Sequence, residues 1–99
     1  MVNLNAYRPK LIELCHALAV RRLELVGSAA REDFQPESSD IDVLIEFEGD
    51  QALFDRYFDL KFGLEEIFGR KVDVIQNKAV KNPHLRKSLD QDRIALYEA

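Results

Sequence analysis

Two aspartates one residue apart, Asp40 and Asp42, open an apolar run that continues Val43-Leu44-Ile45. Side chains in a strand alternate faces with a period of two, so both carboxylates project to one side. Their Cα atoms then lie about 7 Å apart, at about 3.3 Å of rise per residue. Two like charges at the mouth of an apolar strand are costly unless cations lie between them. Such a face suits a pair of divalent ions about 3.5–4 Å apart. The plain alternative is two solvated residues at a strand mouth.

Upstream, Leu23–Val26 reads as a short strand that stops at Gly27. Glycine there lets backbone approach a bulky anion with no Cβ in the way. Ser28 is set as N-cap of a short helix, Ala29 to Asp33, whose free N–H groups and hydroxyl form a phosphate cradle. A serine N-cap is common, so Gly27-Ser28 by itself says little. Arg31 is within reach of the same cradle, with phosphate and solvent equally open to it. Downstream, Asp73 interrupts the apolar strand Val72-Asp73-Val74-Ile75. In a parallel or mixed sheet it falls beside Asp42. A buried, unpaired aspartate is expensive, which implies a metal or a charge partner, and Arg70 and Lys71 precede it.

These residues need elements to hold them. Residues 4–20 read as a helix with Asn5 as N-cap and Pro9 in the first turn. Leu11, Ile12, Cys15, Leu18 and Ala19 recur at one-face spacing, and Arg21 and Arg22 end it. Residues 33–39 are loop, with a turn at Pro36. Ile41, Val43, Ile45 and Phe47 alternate as a strand, and Leu44 adds apolar character on the second face, the mark of a central strand. Gln51 to Phe68 is the longest helix, with Leu53, Tyr57, Leu60, Leu64 and Ile67 as its core stripe. Phe54, Phe58, Phe62 and Phe68 add aromatic surface that either wraps the remaining core or docks a protein partner. Gly69 closes the helix as a C′ glycine. Asn82 and Pro83 start a short helix over 83–90, and Arg93 to Tyr97 forms either an edge strand or an irregular tail.

Ninety-nine residues, 46% of them apolar and 32% charged, fit one soluble domain spanning 1–99. A net charge of −4 disfavours broad non-specific nucleic-acid binding. One cysteine, Cys15, excludes an internal disulfide, and its position on an apolar stripe makes it a buried, inert thiol. With no leader and no long apolar run, the chain reads as cytoplasmic and without membrane contact. His16 and His84 have no companions at ligand spacing, which argues against a zinc site and a Ser-His-Asp hydrolase.

Gly27-Ser28, Asp40-x-Asp42 on a strand and Asp73 on a later one together resemble the polymerase-beta-type nucleotidyltransferase superfamily. The short chain points to its minimal nucleotidyltransferases, and among them to antitoxins paired with HEPN toxins. The likeness runs nearly the whole length, through Pro83–Leu89, Arg93 and Leu96-Tyr97-Glu98. Eleven residues, Ala29 to Ser39, separate Gly-Ser from D-x-D, one more than the usual ten. Glu32 stands where many relatives carry glycine.

The resemblance implies an α/β (α+β) fold, a short mixed sheet flanked by helices. It implies that Gly27 and Ser28 hold the terminal phosphates of ATP. Asp40 and Asp42 would then bind two Mg²⁺ ions, and Asp73 would complete the one that activates the acceptor hydroxyl. It further implies transfer of AMP to a tyrosine of a cognate HEPN-type toxin, a helical ribonuclease silenced by the adduct. Two alternatives stay open: an antitoxin acting by steric binding alone, and a nucleotidyltransferase with a small-molecule or RNA acceptor.

Overall fold

A computed structural model describes residues 6–27 and 41–99 of the chain. The Asn5 cap, the Ala29–Asp33 helix and the Pro36 turn fall outside the described residues. The elements are α1 (Arg8–Ala17), β1 (Val20–Val26), β2 (Ile41–Phe47), α2 (Leu53–Phe68), β3 (Val72–Gln76), a 3-10 turn (Asn77–Ala79), α3 (Pro83–Gln91) and β4 (Arg93–Glu98). Among the described residues four strands form one sheet in the order β3-β2-β1-β4. β1 is antiparallel to β2 and to β4, while β2 and β3 run parallel. A parallel pair needs a crossover, which α2 supplies. The expected short mixed sheet flanked by helices is what forms.

Strand alternation divides the apolar residues between two faces. Leu23, Leu25, Ile41, Val43, Ile45, Val72 and Val74 pack with Leu11 and Cys15 of α1 and Leu60 and Leu64 of α2. On the opposite face Val26 and Leu44 meet Leu89 of α3, with Ile75 and Val80 alongside. β2 is thus central and covered on both sides, as its sequence implies. Gly63 sits where an added Cβ would lie 2.8 Å from the Leu14 methyls, so it allows α1 to approach α2 closely.

The junction of the first helix with β1 differs from the sequence reading. The first helix ends at Ala17, because Ala19 takes a left-handed φ of 53° that no α-helix continues. Arg21 and Arg22 therefore belong to β1, where Val20 pairs with Phe47 and Arg22 with Glu46. Ile12 faces out of the core, 51% exposed. Of the two readings left open for the final segment, the edge strand is the one that forms. Pro9, Gly69 and Asn82 keep their expected roles: Gly69 closes α2 at φ 69°, and the Asn82 side chain accepts from the N–H groups of His84 and Leu85. Cys15 is fully buried and free, and burial pushes its thiol up to about 12. Among the described residues no helix is long and apolar enough to cross a membrane.

Candidate active site

Antiparallel and parallel pairing bring four strand termini to one end of the sheet. The last residue of β1, Val26, is in register with both Asp42 and Arg93, and Asp42 is in register with Asp73. A single row therefore crosses the sheet, Asp73–Asp42–Val26–Arg93. In-register neighbours share a face, with strands about 4.8 Å apart. Asp42 and Asp73 are accordingly adjacent, on the face that carries Leu44 and Ile75 rather than the one packed on α1 and α2. Both are half-buried.

Gly27 leaves β1 at φ 67°, a conformation that side chains rarely adopt. An added Cβ would stand 3.0 Å from Asp42 Oδ2. The glycine thus serves two ends: it turns the chain, and it leaves room for the Asp42 carboxylate directly beside the backbone. Gly27, Asp42 and Asp73 are brought together as the sequence predicts. Ser28, Arg31 and Asp40 lie outside the described residues, and among the described residues no three metal-ligating side chains converge. The two adjacent carboxylates nevertheless offer the hard oxygen ligands that Mg²⁺ takes, next to backbone that an anion can approach.

Two supports of this row were not legible in the sequence. The first is on β3, an edge strand. Lys61 Nζ donates to the Val72 carbonyl, and the Val72 N–H donates to Glu65 Oε2 at 3.1 Å. Tyr57 donates to the Val74 carbonyl at 2.9 Å. The outward-facing backbone on both sides of Asp73 is therefore tied to α2. The Val72 N–H bond is the main reason the Glu65 carboxyl is held below its ordinary value, with Lys61 and Lys71 adding to it. Lys71, a candidate partner for Asp73, thus bears on Glu65.

The second support is Arg93, whose guanidinium pairs with Glu24 on β1 and with Asp90 at 2.6 Å at the end of α3. The hydrogen bond to Glu24 is the largest cause of its raised pKa. Its Nε is buried without a hydrogen-bond partner among the described residues. The alternation of Glu24 with Val26 hinted at a polar site on that face, and the i,i+4 spacing of Lys61 and Glu65 at a pair. Neither hint names the backbone or the arginine that completes it.

The nucleotidyltransferase domain family matches residues 9–96, nearly the whole chain. The chain belongs to that family. A Methanocaldococcus jannaschii relative bearing the name "putative protein adenylyltransferase" is 43% identical over 76 residues, covering 76% of this chain and 75% of its own. A second from that organism, named likewise, is 39% identical over 75 residues, covering 76% and 74%. A solved minimal nucleotidyltransferase superposes with a TM-score of 0.74 at 32% identity, over 92% of this chain and 90% of that one. A chain from a complex of a tri-AMPylated Shewanella oneidensis HEPN toxin with an MNT antitoxin superposes at 0.67. That pair is 15% identical, over 97% of this chain and 73% of that one, and the likeness is one of fold. This nucleotidyltransferase therefore carries the minimal fold of its family, with the Asp42–Asp73 pair at the end of the sheet where β1 stops.

Proposed function

We propose that this nucleotidyltransferase is the antitoxin of a HEPN toxin and transfers AMP from ATP to a tyrosine of that toxin. The observation that carries the reading is Asp73 in register with Asp42, with Gly27 against the Asp42 carboxylate. The antitoxin assignment draws on relatives named for protein adenylylation and on fold neighbours in HEPN toxin complexes.

In this reading Gly27 and Ser28 cradle the terminal phosphates with backbone N–H groups and a hydroxyl, and Arg31 adds charge there. Asp40, Asp42 and Asp73 would hold two Mg²⁺ ions. When bound, such ions neutralise charge that builds on the attacking and leaving oxygens of an in-line displacement. The tyrosine oxygen bonds to the α-phosphorus, the bond from that phosphorus to the bridging oxygen breaks, and pyrophosphate leaves. Asp73 is the carboxylate that accepts the phenolic proton. The clamp from Lys61 and Glu65 to Val72 fixes the backbone that carries it.

The test is mass spectrometry of the HEPN toxin proposed as its partner after incubation with this chain and Mg-ATP. Each transfer should add one adenylate, and Asp42→Ala should abolish the gain while the two proteins still associate. An antitoxin whose Asp42→Ala variant neutralises the toxin as well as wild type acts by steric binding, and the catalytic reading fails.

A further inference from the structure

Among the described residues, two large apolar side chains on α2 stand out in solvent, Phe54 at 74% exposure and Phe62 at 58%. With half-buried Phe58 between them they recur every four residues, which aligns them on one side of a helix. The rings form a ladder. Phe54 and Phe58 have centroids 4.8 Å apart, Phe58 and Phe62 6.0 Å, and Tyr57 closes on Phe58 edge-on at 5.1 Å. Tyr57 is itself tied to β3 through its hydroxyl. The ladder is thus held in shape before anything binds, which lowers the ordering cost of a contact.

Charge decides what fits on it. At 100° per residue, Asp55, Asp59 and Glu66 border the ladder on its outer side, and all are exposed. None of the three makes an ion pair among the described residues. On the inner side Lys61 is spent on Glu65 and on Val72. The ladder therefore has an acidic rim in a chain of net charge −4. A second copy would set carboxylates against carboxylates, a penalty that selects against self-association.

We propose that Phe54, Phe58 and Phe62, with the rim of Asp55, Asp59 and Glu66, dock a helical partner protein through an apolar groove edged by lysine and arginine. Resting on the function proposed above, that partner is the toxin. The mode is an amphipathic helix laid into a groove, with aromatic anchors at the centre and charge at the border. The location suits the chemistry: α2 runs back along β3, and Lys61, beside Phe62, holds the residue that precedes Asp73. A protein seated on the ladder lies along the flank of the sheet whose end carries Asp42 and Asp73.

Titration calorimetry with the HEPN toxin proposed as its partner tests it. Phe54→Ala with Phe62→Ala should weaken binding about 100-fold or more, as loss of two central anchors does. Asp55→Asn, Asp59→Asn and Glu66→Gln together should weaken it about 3- to 10-fold and flatten its salt dependence. All five side chains are exposed, so melting temperatures should stay at the wild-type value and mark the loss as one of contact. Unchanged affinity in the double Phe variant overturns the dock, even if wild type adenylylates the toxin. Weakened affinity supports the dock, even if wild type transfers no adenylate and the catalytic reading fails. A wild-type dimer in sedimentation that dissolves in the double Phe variant assigns the ladder to a second copy and overturns it.

Discussion

Arg56 holds together the end of the sheet opposite the candidate active site, and its removal should be costly. Its Nε donates to Leu18 O at 2.9 Å, Nη1 to Gln51 O at 2.8 Å and Gly49 O at 3.5 Å, and Nη2 to Glu48 O at 2.7 Å and Ala19 O at 2.9 Å. The guanidinium also lies 4.5 Å from the Phe47 ring centroid. These carbonyls come from two tight corners, α1 to β1 and β2 to α2. Both corners contain left-handed alanines, Ala19 at φ 53° and Ala52 at φ 49°. Such residues cost about 1–2 kcal/mol each, so something must offset them.

A hydrogen bond to a charged group contributes about 1.5–3 kcal/mol when shielded and much less in water. The bond to Leu18 is partly buried and the other four are exposed. Counting the first near the low end of that range and the others at about 0.5 kcal/mol puts Arg56→Ala at roughly 3–4 kcal/mol. For a domain of this size each kcal/mol moves Tm by about 4–8 °C, so the variant should melt roughly 15–30 °C lower. Arg56→Lys keeps the charge but not the planar fork, and should fall about midway. Circular dichroism melts read both. The candidate site lies at the other end of β2, about 16 Å off at the usual rise, so Arg56→Lys should keep wild-type transferase activity wherever it is folded. A drop below about 5 °C for Arg56→Ala would refute the staple.

Gly27→Ala forces a methyl to 3.0 Å from Asp42 Oδ2 at a φ of 67°. It should lower Tm by roughly 5–15 °C and weaken Mg-ATP binding at least about tenfold by calorimetry. The Glu65 carboxyl is held below its ordinary 4.5 chiefly by the Val72 N–H. Its contribution is present above that value and is lost as pH falls through the lower folded one. Urea melts should therefore show stability declining in acid, and Glu65→Gln should flatten that decline. With its thiol pushed up to about 12, Cys15 should resist iodoacetamide at mildly alkaline pH in the native protein and react once guanidinium unfolds it.

How far the chain can be read without coordinates depends on the range of the forces involved. The alternation of Ile41, Val43, Ile45 and Phe47 and the apolar run around Asp73 are local signals, and they identified two adjacent strands of the sheet. The capping of α3 by Asn82 and the closing of α2 by Gly69 are equally local. Val20-Arg21-Arg22 misleads because arginine continues a helix well. Pairing with Phe47 and Glu46 draws the segment into β1 instead, a tertiary effect that outweighs propensity. Ile12 fits the apolar stripe by spacing yet remains outside the core. The Glu24–Arg93 pair joins residues 69 positions apart and becomes visible only once β4 folds beside β1.

α2 shows how one helix can serve both ends of the sheet at once. Leu60 and Leu64 bury its core face, Arg56 reaches back to the two far corners, and Lys61 and Glu65 reach forward to the strand that bears Asp73. Its remaining side carries the phenylalanine ladder. At 100° per residue Arg56 and the leucines fall well away from the ladder, while Lys61 and Glu65 line its edge nearest β3, so the four tasks use different side chains although two of them adjoin. Substitutions on α2 should therefore sort by side chain: Arg56 acts on melting, Lys61 and Glu65 on the setting of Asp73, Phe54 and Phe62 on partner affinity. Pairs drawn from different faces should combine additively, within about 0.5 kcal/mol. Coupling between Arg56→Lys and Phe62→Ala in partner affinity would mean instead that α2 shifts as a unit, and that the staple at one end sets the surface offered at the other.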